Sequence, residues 1–478
     1  MSKIIFIGLL IAAIAWFFYR AEQAKKSAQK NIEVGQAFLA GNSTKEGIKT
    51  TPSGLQFEIL KKGEGCYVYD NSNNKYLDYG MGLRAVILGY ADKLVNRAAI
   101  NQISNGNNLT RPSNIEMEVA MKLKKLFSYI DMVKFTKNSS NAVTGATKLA
   151  RAYNGKKIIL RCLDHPFFSF DDWFIGSTVM NKGVPKEISN LTLSFKYNDI
   201  ESLKTLVKKF KNDIACIILE PSSTTCPQVN KSDSVCCGKK NCDRDFKHTE
   251  HFLKKVENIC RENDIIFILD EMITGFRWHL KGAQSFYNVT PDLSTFGKAM
   301  ANGFSLSAVS GKREIMELGS IEKKGAERVF LLSSTHGGEM TGMAAFMATL
   351  NKLKNEKIIE KNWDYGIKLK NVFNNIAKDM NINDYIYMTG VGCSPYYVCL
   401  DKFKKPSQIF KTLFVQQMLK SNILMPWVAI SYSHGKKELE KTRKALIKTF
   451  EVYKKALKLG PNKFVQGRII KPVFRKYN

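Results

Sequence analysis

Three short apolar runs stand out along the chain: Ile214 to Leu219 (IACIIL), Ile265 to Leu269 (IIFIL) and the weaker Leu293 to Phe296 (LSTF). None alternates with a polar face, and continuous runs of this kind belong to strands covered on both sides, as in a parallel sheet. Between the first two, residues 247–262 (KHTEHFLKKVENICRE) predict a connecting helix. Upstream, CYVYDNSNNKYLDYG (66–80) gives two alternating runs around Asn71 to Asn74, which predicts a hairpin. Ser113 to Glu116 reads as a capping box, and Met117, Ala120, Leu123 and Leu126 follow at helical spacing. Strand-like and helical segments then alternate, so an α/β layered domain is the expected architecture.

The first 65 residues have a different texture. Ile4 to Tyr19 is a 16-residue run without a charge, flanked by Lys3 and by Arg20, Lys25, Lys26 and Lys30. It is just short of the usual spanning length of about 17 residues, and Trp16 to Tyr19 with Arg20 can extend it through the interface. A single-pass anchor is expected over residues 1–20, with the body on the cytoplasmic side by the basic bias. A cleaved signal peptide is the competitor, and without the anchor the body would be soluble and cytoplasmic. Residues 31–65 (NIEVGQAFLAGNSTKEGIKTTPSGLQFEILKKGEG) resemble the lead-in of the macrophage-infectivity-potentiator type of FK506-binding prolyl isomerases. The likeness stops at Gly65 and no isomerase domain follows, so it implies a stalk over 21–65 and not isomerase activity.

With 478 residues, 44% of them hydrophobic, the chain can bury large cores, which excludes a disulfide-stapled mini-protein or a disordered chain. The formal charge is +30, and residues 401–478 hold 19 basic against 4 acidic residues. Lys444, Lys448, Lys454, Lys455 and Lys458 interleave with Leu446, Ile447, Phe450 and Leu457, which reads as a helix with a solvated face. Nucleic acid is therefore not the expected partner. Cys226, Cys236, Cys237 and Cys242 crowd a polar loop but lack two separated CxxC knuckles, so a loop without metal is expected.

The chemistry lies after the apolar runs: Glu220 follows the first, Asp270 the second, and Lys298 lies just past the third. Ligands in open α/β sheets bind at the carboxyl ends of strands, so one crevice would collect two carboxylates and a lysine. A buried lysine beside an aspartate suits imine chemistry, the amine joining an aldehyde and the acid holding a ring nitrogen protonated. Pyridoxal 5′-phosphate (PLP) needs both, plus a phosphate cradle. Asn138, Ser139 and Ser140 stand directly before a helix with Ala146, Leu149 and Ala150 on one face, and a second candidate is Ser334 to Gly338. No P-loop or dinucleotide glycine motif occurs.

Four ordered motifs carry a resemblance: KNSSNAVTGATKLARAY (137–153), LDEMITGFR (269–277), STFGKAMANGFSLSA (294–308) and THGGEMTGMAAFMATL (335–350). They are similar to those of class-III PLP-dependent aminotransferases, in particular the branch of glutamate-1-semialdehyde 2,1-aminomutase. The resemblance implies PLP fold type I: a mostly parallel seven-stranded sheet in a large domain (111–350), with a smaller α+β domain from 66–110 and 351–478, preceded by an N-terminal helix. It implies Lys298 as the lysine joined to the cofactor and the proton shuttle, Asp270 as partner of the ring nitrogen, and Met272 on the ring face. Ser139 and Ser140 match the phosphate-binding pair, and Thr335 matches a threonine donated by the neighbouring subunit, which implies a homodimer. Glu220, from its place after the first apolar run, is expected to join the cofactor pocket. His165 falls near the aromatic that stacks on the cofactor, Phe167 being the substitute, and Arg84 lies where substrate carboxylate binds.

The sequence also departs from the pattern. Ser139 replaces a usual glycine, Asn141 a usual acid, and NGFSLSA after Lys298 is closer to aminotransferases than to the mutases. Transamination between a small-molecule amino donor and a carbonyl acceptor is the expected reaction. Intramolecular aminomutation and a catalytically degenerate, membrane-held binding protein are the alternatives.

Overall fold

The computed structural model describes residues 60–222, 225–229, 250–322, 325, 327–330 and 335–477, with short stretches among the first 58. Among the described residues no helix is long and apolar enough to cross a membrane. Residues 1–15, most of the expected anchor, lie outside them, as do Cys236, Cys237 and Cys242. No metal-binding cluster occurs among the described residues, and Cys226 is a buried free thiol.

Ile48–Thr50 (β1) and Gln56–Glu58 (β2) pair antiparallel. Leu60–Glu64 (β3), Tyr67–Asp70 (β4) and Lys75–Asp78 (β5) follow as an antiparallel meander. The expected hairpin is β4–β5, and its turn chemistry is visible. Asn73 takes φ +62°, which asparagine tolerates, and the Asp70 carboxylate accepts from the Asn74 N–H (2.8 Å) and from Asn74 Nδ2 (2.8 Å).

The large sheet consists of Met132–Thr136 (β6), Ile158–Cys162 (β7), Thr192–Phe195 (β8), Ile214–Leu219 (β9), Ile266–Asp270 (β10), Leu293–Phe296 (β11) and Ser307–Gly311 (β12). Their order is β6-β12-β11-β10-β9-β7-β8, and only β12 runs against the rest. This is the mostly parallel seven-stranded sheet expected from the motifs. The second apolar run is registered one residue later than expected, with Asp270 inside the strand. The reason for continuous apolar runs is direct: in β9, Cys216 and Ile218 enter one core while Ile217 and Leu219 enter the other. Helix Ser139–Asn154 covers the first face through Ala142, Val143, Ala146, Leu149 and Ala150.

Helix Asn114–Leu126 starts where the capping box places it, the Ser113 hydroxyl accepting from the Glu116 N–H. Its buried face is Val119, Leu123 and Leu126, however, and Met117 is 57% exposed. The apolar spacing there fits two phases of the helix, and packing selects the later one.

A second core joins Cys66, Leu77 and Tyr79 to helices Ile358–Asp379, Gln408–Lys420 and Lys436–Leu459 and to the hairpin Ile386–Val391 (β13) with Ser394–Cys399 (β14). Ile423–Leu424 (β15) adds in parallel to β5. Leu446, Phe450 and Tyr453 of the last helix are buried while Lys444, Lys448, Lys455 and Lys458 are exposed, the solvated face expected. Residues 461–477 then fold back over this core. Gln416 Nε2 donates to the Phe464 carbonyl (2.9 Å), the Ile470 N–H donates to Thr412 Oγ1 (2.9 Å), and Phe474 packs edge-on against Phe174 beside the large sheet.

Candidate active site

The three strands that carry the expected chemistry are neighbours, with β10 between β9 and β11. Leu219 pairs with Leu269 and Asp270 with Thr295, so Glu220 and Asp270 stand at one level and Lys298 comes three residues beyond Thr295. Asp270 is 2% exposed, and its Oδ1 accepts from the Met272 N–H (3.0 Å) and from Thr295 Oγ1 (3.1 Å). Lys298 begins a single helical turn with φ +45°, a left-handed conformation that re-aims the chain at the strand end. Gly297 before it is needed for close approach: a Cβ there would meet Ser307 Oγ at 2.6 Å and Met272 Sδ at 2.7 Å. The buried Met272 thus lies directly against the backbone that presents Lys298.

Burial dominates the electrostatics. It pushes the Asp270 carboxyl up to about 6, against the opposing pull of Lys298 and of the two hydrogen bonds. Glu220 is pushed up to about 8 by burial and by the charge of Asp270, while Lys298 and Arg84 pull it down. Its Oε2 is buried and has no hydrogen-bond partner among the described residues. Burial lowers Lys298 below the ordinary lysine value, with Glu220 and Asp270 opposing. The three groups share one end of adjacent strands, and each bears on the charge of the others. His165 is 2% exposed, and its Nδ1 accepts from the Glu220 N–H (3.0 Å). It lies edge-on to Phe168 and tilted to Tyr197, and burial drives its pKa down to about 3, so it is neutral. Phe167 is 41% exposed and packs on Phe174.

At the start of helix Ser139–Asn154, Asn138 Oδ1 caps the Asn141 N–H (3.1 Å), leaving the first two amides, of Ser139 and Ser140, pointing out of the helix. The Ser140 hydroxyl instead accepts from the Phe170 N–H (3.2 Å). A pocket of about 230 Å³ here is lined by Thr136, Lys137, Asn138 and Asn141 together with Thr335 to Gly337 of the same chain. Ser334, in the second cradle, lies outside the described residues, and the helix after it begins at Met340. Glu339 pairs with Lys137 and ties the two segments together.

Arg84 is partly buried, its pKa lowered by burial and raised by Glu220. Its Nη1 reaches Ser394 Oγ at 3.5 Å.

Residues 51–236 and 245–394 match the family described as Aminotransferase class-III. The chain belongs to this family. Residues 12–59 match the domain amino terminal to FKBP-type peptidyl-prolyl isomerase. The glutamate-1-semialdehyde 2,1-aminomutase of Francisella philomiragia is 31% identical over 443 residues, covering 87% of this chain and 96% of that protein. The protein of the same description from Sulfurihydrogenibium is 29% identical, covering 90% and 99%. Among solved structures, the FumI protein of Sphingopyxis in its PLP internal aldimine form superposes with TM-score 0.71 at 22% identity, covering 86% of this chain and 91% of that one. The glutamate-1-semialdehyde aminomutase of Pseudomonas aeruginosa superposes with TM-score 0.69 at 17% identity, covering 83% and 88%. This class-III aminotransferase is an enzyme of PLP fold type I and its cofactor is pyridoxal phosphate.

The residues present fit that cofactor. Half-buried Lys298 stands just past the strand beside the one that ends in buried Asp270, a buried Glu220 oxygen has no hydrogen-bond partner among the described residues, and a helix start presents two amides. Sequence reasoning did not single out Thr295, Gly297 or Arg277. Arg277 carried a readable signal, a lone cation inside the apolar stretch ITGFRWHL. Thr295 and Gly297 matter only through the register and crowding that the fold imposes.

Proposed function

We propose that this enzyme moves an amino group from a small-molecule donor to a keto or aldehyde acceptor, with Lys298 and Asp270 as its catalytic residues. The observation that carries the reading is the sheet register, which sets buried Asp270 at the end of β10, level with Glu220, and half-buried Lys298 just past the end of the adjacent β11. Bound PLP supplies an aldehyde for amine capture and an electron sink for the carbon beside the nitrogen. Lys298 Nζ, its pKa lowered by burial, is a nucleophile closer to neutral pH than an exposed lysine and moves the proton at the substrate α-carbon. Both hydrogen bonds to Asp270 fall on Oδ1, which leaves the carboxylate free to hold the protonated ring nitrogen that PLP would present. Met272 would hold the ring face, the Ser139 and Ser140 amides would hold the phosphate, and His165 and Glu220 would line the pocket. Arg84 receives the substrate carboxylate.

Homodimer formation is supported by apolar side chains left on two helices. Leu94, Ile100 and Ile103 on Lys93–Ser104, with Met117 and Met121 on Asn114–Leu126, are exposed by half or more. In such a dimer Thr335, which lines the pocket beside Asn138 of its own chain, would be donated to the neighbouring subunit's phosphate site. Membrane attachment through residues 1–20 rests on composition alone.

The test is spectroscopic. The purified enzyme should show a cofactor band near the visible edge that disappears in Lys298→Ala; protein that stays colourless with excess PLP overturns the proposal. Aminomutation is the second reading, favoured by the names of the relatives and opposed by the NGFSLSA segment. Turnover of an amino-aldehyde without any external acceptor would decide for it.

A further inference from the structure

Arg277 closes the segment that leaves β10 after Asp270 and carries Met272. It is 1% exposed and, among the described residues, forms no ion pair with a carboxylate. Its Nη1 donates to the Ile430 carbonyl (2.7 Å) and its Nη2 to the Arg84 carbonyl (2.9 Å), while Nε is buried without a partner. A buried guanidinium so poorly compensated is a burden on the fold unless it holds something in place. What it holds are two backbone carbonyls from segments of the second core, those of Ile430 and Arg84.

The Arg84 side needs holding. Met81, Gly82, Leu83 and Arg84 have φ of +42°, +57°, +57° and +72°, three of them at residues other than glycine. Such conformations persist only where the surroundings over-determine them. Asp78 accepts from the Gly80 N–H (2.6 Å) and the Met81 N–H (3.0 Å), Tyr90 Oη accepts from the Gly82 N–H (2.8 Å), and Trp427 Nε1 donates to the Gly80 carbonyl (3.1 Å). These bonds fix the beginning of the turn, and at its end the side-chain bond to Arg84 comes from Arg277.

We propose that Arg277 is a positioning residue for the amino-group transfer: by pinning the Arg84 carbonyl it aims the Arg84 guanidinium at the carboxylate of an acidic, amino-acid-like substrate. The charge balance supports that class of substrate, because Arg84, Arg277 and Lys298 repel one another across the site, while Glu220 opposes Arg84, and Glu220 with Asp270 opposes Lys298. The inference rests on the reading of Arg84 as the carboxylate residue, and the two can fail separately.

The test titrates the PLP-loaded enzyme with succinate and with L-glutamate, following cofactor absorbance. Succinate gives a half-saturation constant, and L-glutamate gives that and a limiting rate. Arg84→Ala and Arg277→Met should each raise half-saturation by about tenfold or more with a smaller change in limiting rate. The double variant should be little worse than either single one, because both changes remove one function. Arg277→Lys, which keeps the charge but cannot fork to two carbonyls, should fall between, and it decides the matter if Arg277→Met fails to load PLP. If Arg84→Ala weakens binding and the Arg277 variants do not, or if the two losses multiply, the positioning role is overturned. If Arg84→Ala binds as the parent does, or the parent responds to neither probe, the carboxylate reading is overturned and the positioning role goes with it.

Discussion

Glu220→Gln should stabilise the cofactor-free protein, and by an amount that depends on pH. The folded environment pushes this carboxyl from its ordinary 4.5 up to about 8, through burial first and the neighbouring Asp270 charge second. A folded pKa above the unfolded one means that the fold favours the proton. The linked stability is therefore fully present below about pH 4.5 and is lost as pH rises through about 8. At pH 7 the folded chain still holds a proton that the unfolded chain has released, a penalty of about 3 kcal/mol. Glutamine has the same shape and carries no such penalty. Its amide replaces an oxygen that already lacks a partner. Urea unfolding of the parent and the variant should give nearly equal stabilities near pH 4.5 and a gap of about 3 kcal/mol in favour of glutamine at pH 7. A gap that stays constant with pH, or one that favours the parent at pH 7, would refute the electrostatic account of the crevice.

Further outcomes follow from other residues. Lys298→Ala should lower turnover by about 10² to 10⁴-fold from lost proton transfer alone, measured as amine transfer under saturating substrate. Gly297→Ala should drive a Cβ into Met272 Sδ and Ser307 Oγ, destabilising the fold by about 1–3 kcal/mol and weakening PLP retention on dialysis. An unchanged melting curve would show that the close approach is not tight. Asn138→Ala removes the cap on the Asn141 amide and should cost about 1 kcal/mol in chemical denaturation, with a measurable rise in the PLP dissociation constant. Ile100→Asp combined with Met121→Asp, both on exposed apolar faces, should halve the mass seen in sedimentation if those faces join two copies.

The parallel sheet was legible because covered strands have to be apolar at every position, as IACIIL is in β9. The crevice followed from topology, since acid, acid and lysine each come at or just past a strand end. The phase of helix Asn114–Leu126 was not legible. Met117 and Val119 compete for the inner face, and only the helix Met340–Asn355 packed against it settles which is buried. Nor could a linear sequence show that the Arg277 guanidinium ends on the carbonyls of Arg84 and Ile430, because those contacts span 193 and 153 residues. Motif spacing reports on local geometry, whereas such contacts depend on how two separate cores meet.

The run from Pro461 onward acts as a leash. It is tied to one core at Gln416 and Thr412 and touches the other at Phe174, next to the aromatic group around His165. Any hinge motion that opens the crevice must either drag this leash along or peel Phe474 from its seat. The amplitude of opening is therefore set partly by a segment with no chemistry of its own.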